Sequence, residues 1–368
     1  VRHRRCKILL NNFPKENDVN HLFLHCRAGF EKECAAEITD LAAEQDIFGY
    51  IKTQDSSAYV VFISHDPEGA AQLLKALEFR RLIFVRQWFA SGPLLRDLPV
   101  TDRVSPLLAA AGDLPVTREL MVETVDTNAG NELSGLGKKF TAPFTQALRK
   151  NNLFASNSPW RLHLVFISGT EAFLGVSPIN NSASWVMGIP RLRLPKSAPS
   201  RATLKLEEAW HHFIPAAEWD KRLALSMRAV DLGAAPGGWT WQLVRRGMFV
   251  EAIDNGPMDQ ALMDSGQVKH ILADGFLYEP KKSMDWLVCD IVDKPARVTS
   301  LISRWAGKGL CREAIFNLKL PMKQRYLEVK KCERRLLADL EGLGRRAELR
   351  FKQLYHDREE VTGHLRLL

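Results

Sequence analysis

Three glycines and a proline crowd into the nine residues Asp231-Leu232-Gly233-Ala234-Ala235-Pro236-Gly237-Gly238-Trp239, between an apolar run ending at Leu232 and a helical pattern that continues to about Arg246. Neither a strand nor a helix can run through such a segment, so it predicts a strand, a tight turn and a helix. Glycine removes side chains where backbone must come close to a ligand, and the opening helix aims free N–H groups at the same place. A second apolar strand is expected over 248–253, with Asp254 at its end, about twenty residues after the turn, where a carboxylate can accept both hydroxyls of an adenosine ribose. The pattern is that of a doubly wound, Rossmann-like α/β domain with a nucleotide site. A dehydrogenase would also place a glycine turn and an acid at this interval, but its G-x-G-x-x-G fingerprint is absent.

Two further strand ends carry acids. The run 268–272 leads to Asp274 and the run 284–288 leads to Asp290, and open α/β sheets hold ligands at that C-terminal edge. One such carboxylate could be simple cap chemistry, whereas three in register indicate a site. The loop D-L-G-x-x-P-G-G-W resembles that of the ribose-methylating, FtsJ-like class of S-adenosyl-L-methionine-dependent methyltransferases. That resemblance implies S-adenosylmethionine as cofactor, held by Ala202, Asp231, Gly233, Ala235, Pro236, Gly237, Gly238, Asp254, Asp274 and Asp290. It further implies that Asp274 meets the adenine amino group and that Asp290 lies nearest the methyl-bearing sulfonium. Ala235 departs from a cysteine common in relatives; because the loop acts through its backbone, little effect is expected. Ala202 stands where relatives can carry a serine.

A ribose 2′-hydroxyl is a poor acid, so its attack on a sulfonium methyl needs a base. A lysine serves only if its pKa falls from ~10.4 towards ~7–8, through burial or a neighbouring cation. A second lysine and balancing acids should therefore be present. Lys205, Asp290, Lys319 and Glu360 follow one another in the order K, D, K, E, the last three beside apolar strand-like segments. The order matches the tetrad of the same class, and the resemblance implies the roles: Lys319 as general base, Lys205 depressing its pKa and orienting the hydroxyl, Asp290 positioning the lysines and methyl donor, Glu360 completing the charge balance. Glu359 is the competing candidate for the acid; Glu360 is preferred because it directly precedes the strand expected from Val361.

Upstream, the order strand 21–26, helix 30–45, strand 58–63, helix 68–77 and strand 82–88 reads as a ferredoxin-like α+β unit. A second unit has a strand at 120–124, a helix at 138–149 and a hairpin-like pair at 161–166 and 172–176. On that helix Phe140, Phe144 and Leu148 recur every four residues and face a core, leaving Lys138, Lys139, Arg149 and Lys150 outside, after a glycine-containing loop over 130–137. A basic face of this kind suits a phosphate backbone. Asp126-Thr127-Asn128 and Lys138-Lys139-Phe140 resemble the THUMP module of RNA-modifying enzymes, which implies RNA binding through these residues. The expected organisation is an extension at 1–20, loosely ordered; a ferredoxin-like domain at 21–90; a THUMP-like domain at 91–179; a basic, proline-containing linker at 180–200; and the methyltransferase domain at 201–368.

The strings Gly29-Phe30-Glu31-Lys32-Glu33-Cys34 and Thr203-Leu204-Lys205-Leu206-Glu207-Glu208, with this order of parts, resemble the ribosomal RNA large subunit methyltransferase M family from His21 onward. The resemblance implies 2′-O-methylation of a cytidine of 23S ribosomal RNA, the one numbered 2498, on naked RNA or an early precursor particle, and so a part in ribosomal RNA processing and ribosome biogenesis. Composition agrees: 51 Lys and Arg against 43 Asp and Glu, in 368 residues, favour an anionic partner. The longest apolar runs fall far short of the ~20 residues of a membrane span. Six scattered cysteines without a C-x-x-C pair, and no H-E-x-x-H, predict reduced thiols in the cytoplasm and no metal. A monomer is expected. Two rivals remain at this point. A base methyltransferase would offer a nucleophilic cysteine or an Asn/Asp-Pro-Pro-Tyr/Phe loop, where this chain has Asp290-Ile291-Val292-Asp293. A non-catalytic RNA-binding or ribosome-assembly factor that kept the fold would have no need of the cofactor.

Overall fold

The computed structural model describes residues 19–368, so all but the last two residues of the expected extension lie outside it. Those two are not loose. Val19 is buried, and Asn20 is tied to Ser64 by two hydrogen bonds, Ser64 N to Asn20 O at 2.9 Å and Asn20 Nδ2 to Ser64 O at 3.0 Å. The chain divides into two compact units, residues 1–189 and 190–368, each with one seven-stranded sheet.

In the first unit the strands are β1 (His21–His25), β2 (Gly49–Thr53), β3 (Tyr59–Ser64), β4 (Gln87–Ser91), β5 (Glu119–Thr124), β6 (Trp160–Phe166) and β7 (Ala172–Pro178), in the order β2-β3-β1-β4-β7-β6-β5. The first four with the helices Glu31–Ala43 and Gly69–Ala76 make the β-α-β-β-α-β arrangement of a ferredoxin-like fold. Sequence reading misses β2 because it is an edge strand with half-exposed or exposed side chains throughout. The strand expected over 82–88 begins only at Gln87. The N–H groups of Ile83 and Phe84 are taken by the buried carboxylate of Glu37, the latter at 2.8 Å, and so cannot join a ladder. Pairing of β4 with β7 carries the sheet into the second half, and Phe23, Val61, Ile63 and Phe89 share one core cluster with Val125, Val165 and Phe173.

Helix Ser134–Lys150 buries Phe140, Phe144 and Leu148 as the four-residue recurrence requires. The glycine-containing stretch before it is helical rather than a loop. Thr127 Oγ1 accepts the Gly130 N–H at 3.0 Å and caps a short helix, Asn128–Glu132, that runs into the longer one. Residues 180–189, expected as linker, are built into this unit: Gln87 Nε2 donates to Ala183 O at 2.9 Å, and Trp88 Nε1 donates to Asn181 O at 2.6 Å. Glu123, His163 and Ser177 form a relay with 2.8 Å links, yet all three are at most 1% exposed, so it holds β5, β6 and β7 together and meets no substrate.

The second unit contains β8 (Arg228–Leu232), β9 (Phe249–Ile253), β10 (Val268–Ile271), β11 (Met284–Cys289), β12 (Cys311–Lys319), β13 (Ala347–Lys352) and β14 (Glu360–Leu367). Their order is β10-β9-β8-β11-β12-β14-β13, parallel except for β14, which runs antiparallel to both its neighbours. The apolar strands form a buried sheet; Trp286 of β11 packs with Trp210 and Phe213 of helix Thr203–Phe213 and with Trp239 and Leu243 of helix Gly238–Arg245. The chain leaves β8 towards β9 on one side, whereas β11 lies on the other. This reversal of direction opens a crevice at the strand ends. Among the described residues no helix is long and apolar enough to cross a membrane.

Candidate active site

The glycine turn lies at that crevice, between β8 and helix Gly238–Arg245. Gly237 caps the helix at φ 114°, a left-handed conformation costly for any side chain, and a Cβ there would come within 2.3 Å of Leu262 Cδ1. At Gly238 the constraint is space: a Cβ would stand 2.4 Å from Ser200 Oγ and 3.2 Å from Ala202 Cβ. The segment 200–203 therefore packs directly on the turn. Gly233 N donates to Ile253 O at 3.0 Å and Pro236 O accepts the Asp259 N–H at 3.0 Å, so backbone contacts fix the turn on both sides.

Asp254, one residue beyond β9, accepts the N–H of Ala235 at 3.0 Å and that of Gly256 at 2.7 Å, one on each oxygen. Each oxygen keeps a lone pair for a ligand hydroxyl. Asp231 is buried, with Thr240 Oγ1 donating to it at 2.7 Å. Burial pushes its carboxyl up to about 7; the Thr240 hydrogen bond opposes this, and the negative charges of Asp290 and Asp254 add to it. Asp274 is exposed, three residues past β10, and Oδ1 accepts the Phe276 N–H at 2.8 Å, so it also caps its own turn.

The four expected tetrad residues converge. Asp290 follows β11, Lys319 ends β12, and the β12/β14 register places Glu360 directly opposite Lys319. Lys205 comes from the first turn of helix Thr203–Phe213. Lys319 Nζ lies 2.9 Å from Asp290 Oδ1 and 3.5 Å from Glu360 Oε1; Lys205 Nζ lies 3.3 Å from Asp290 Oδ2 and donates to Glu360 Oε1 as well. Two lysine nitrogens thus share two carboxylates. Burial alone would lower Lys205, but Asp290 and Glu360 outweigh it and hold its ammonium above the ordinary lysine range. Burial likewise opposes ionisation of Asp290; Lys205, Lys319 and the Asn317 amide prevail and keep its carboxyl below the usual range. Glu359 points elsewhere, pairing with Arg325 at 2.6 Å with its side chain 60% exposed.

Reading the sequence did not identify Thr240, Asn317, Asp357 or Thr362, which support these groups. Asn317 carried a signal: it is two residues before Lys319 in an apolar strand and so shares its face. In the first unit Lys138, Lys139, Arg149 and Lys150 are all exposed on helix Ser134–Lys150.

Residues 198–333 match the FtsJ-like methyltransferase model, residues 19–89 the RlmM ferredoxin-like domain, and residues 102–178 the N-terminal domain of ribosomal RNA large subunit methyltransferase M. Fold and site together define an FtsJ-like, S-adenosylmethionine-dependent methyltransferase. The bare backbone at Gly237 and Gly238 and the free lone pairs of Asp254 fit that cofactor. The chain is 71% identical over 349 residues to ribosomal RNA large subunit methyltransferase M of Cellvibrio japonicus, covering 95% of this chain and 100% of the relative. It is 55% identical to the protein of that name from Pseudomonas putida over 95% of this chain and 99% of the relative, and 56% identical to that of Stutzerimonas stutzeri over 95% and 100%. The chain belongs to the ribosomal RNA large subunit methyltransferase M family.

Proposed function

We propose that this chain transfers a methyl group to the ribose 2′-oxygen of one cytidine of 23S ribosomal RNA, with Lys319 as general base, acting as a monomer on naked RNA or an early precursor particle. The observation that carries the reading is the convergence of Lys205, Asp290, Lys319 and Glu360 at the strand ends beside the glycine turn.

S-adenosylmethionine supplies an electrophilic methyl on a sulfonium. The turn 231–239 and Asp254 would hold its nucleoside, and Asp290 would present negative charge towards its positive sulfur. The protein orients the ribose hydroxyl by Lys205, whose ammonium is fixed by two acids and stabilises negative charge growing on the attacking oxygen. Lys319 serves as base only in its neutral form; from that state its Nζ takes the hydroxyl proton as the ribose oxygen accepts the methyl group, and the donor would leave as a neutral thioether. Asp290 and Glu360 then balance the charge of two cations. The exposed basic residues Lys138, Lys139, Arg149 and Lys150 meet RNA phosphates.

Lys319→Ala abolishes methyl transfer in a single-turnover assay and leaves cofactor affinity within about tenfold, because the lysine acts on the acceptor and not on the donor. Retained turnover would remove it as base. Mass-spectrometric mapping of 2′-O-methyl groups on ribosomal RNA from cells with and without the gene tests the target; an unchanged map would overturn it.

A further inference from the structure

Behind the four charged side chains runs a second polar row built by the same strand register. Asn317 stands opposite Thr362 in the β12/β14 pairing, two residues before the Lys319–Glu360 pair. Asn317 Nδ2 donates to Asp290 Oδ1 at 2.8 Å. Thr362 Oγ1 lies 2.8 Å from Asn317 Oδ1, and 3.2 and 3.1 Å from the two oxygens of Asp357. Asn317 and Thr362 are fully buried and Asp357 is 1% exposed.

The protons of this row can be counted. Asp290 faces two lysine nitrogens and, as a carboxylate, has only lone pairs to offer, so Asn317 must turn its NH₂ towards it. The Asn317 carbonyl then faces Thr362 and accepts from the hydroxyl. A hydroxyl has one proton. Once it is given to Asn317, the Thr362 oxygen can only accept, and the facing oxygen of Asp357 must bring a proton of its own. Asp357 Oδ2 already accepts the Leu354 N–H at 2.9 Å, which leaves Oδ1 to carry it.

We propose that Asp357 is held as a neutral carboxylic acid, and that the hydrogen bonds Asp357 to Thr362 to Asn317 to Asp290 run in one direction and fix the carboxylate that both lysines share. The surroundings agree. Burial pushes the Asp357 carboxyl well above the ordinary range; the charges of Glu360 and Glu208 add to this, while Lys205 and the Leu354 N–H oppose it. Were Asp357 ionised, Thr362 would donate to it and the Asn317 carbonyl would be left buried with no donor from Thr362, at a cost that the neutral acid avoids. Asp357, Thr362 and Asn317 are positioning residues. Their effect on catalysis rests on the reading of Asp290 and Lys319 above; the protonation of Asp357 does not.

The test uses the full chain. Infrared difference spectra between wild type and Asp357→Asn at pH 8 are expected to contain the carbonyl stretch of a protonated acid, lost in the variant. Asn at 357 keeps a donor for Thr362 and an acceptor for Leu354 N–H, so single-turnover methylation stays within about threefold of wild type, whereas Asp357→Leu and Thr362→Val fall at least about tenfold with cofactor affinity unchanged. An ionised Asp357 at pH 8, or an Asp357→Asn variant as impaired as Asp357→Leu, overturns the proposal. A protonated Asp357 with an unimpaired Thr362→Val overturns the positioning role. If Lys319→Ala kept its activity, the reading of the base would fail while the infrared result stood.

Discussion

Glu359 and Glu360 are adjacent and chemically identical, yet the strand register gives them opposite surroundings. Glu360 is 5% exposed between two lysines, whereas the Glu359 side chain is 60% exposed and pairs with Arg325. Removing the buried acid leaves two lysines on the single carboxylate of Asp290, whereas a pair whose acid is largely in solvent contributes less. Glu360→Gln is therefore expected to lower the single-turnover rate at least about tenfold with little change in RNA affinity, and Glu359→Gln to stay within about twofold. Equal effects would place the acid wrongly. From the sequence, the preference for Glu360 rested on its position before an expected strand; β14 in fact begins with it, and pairing with Lys319 is what turns the side chain inward.

At the level of elements, strongly periodic segments were legible and edge segments were not. Helix Ser134–Lys150 announces itself through Phe140, Phe144 and Leu148, while β2 offers no buried alternation, and in the apolar run 82–85 the N–H groups of Ile83 and Phe84 go to Glu37 instead of a strand partner. The same helix carries a consequence for RNA. Lys138 and Lys139 precede Arg149 and Lys150 by eleven residues, and eleven residues of α-helix return to within about 20° of three full turns and rise ~16 Å. Two basic pairs thus line one face. Replacing all four by alanine is expected to weaken RNA binding by roughly tenfold or more at physiological salt, and to lower the slope of log affinity against log salt by about three. Cofactor binding should not change. Filter binding across a salt series with parallel calorimetry of the cofactor checks both; an unaltered slope would mean that this face does not touch phosphate.

For the molecule as a whole, the division into residues 1–189 and 190–368 separates the basic helix from the cofactor turn, since each unit has its own sheet and core. Ligand binding stabilises only the unit that holds it. At a hundredfold excess over Kd the cofactor adds about 2.7 kcal/mol, which corresponds to roughly 5–10 °C for a unit of this size. Scanning calorimetry should therefore resolve a transition that rises by this amount with S-adenosylmethionine and another that does not move. A shift of both together would show that the units unfold as one.

By itself the sequence determined a nucleotide site at a strand–turn–helix and, through the resemblance of the turn from Asp231 to Trp239 and of the ordered acids and lysines to the FtsJ-like class, the class of chemistry, because these residues can be read one at a time along the chain. Only the tertiary structure decided which groups touch. The sharing of Asp290 by two lysines, the inward turn of Glu360 and the row from Asp357 to Asn317 join β12 and β14 to helix Thr203–Phe213 and the end of β11, segments more than a hundred residues apart at the extremes. Such contacts follow from strand order and register, which depend on how the apolar faces pack and leave no local mark on the residues they bring together.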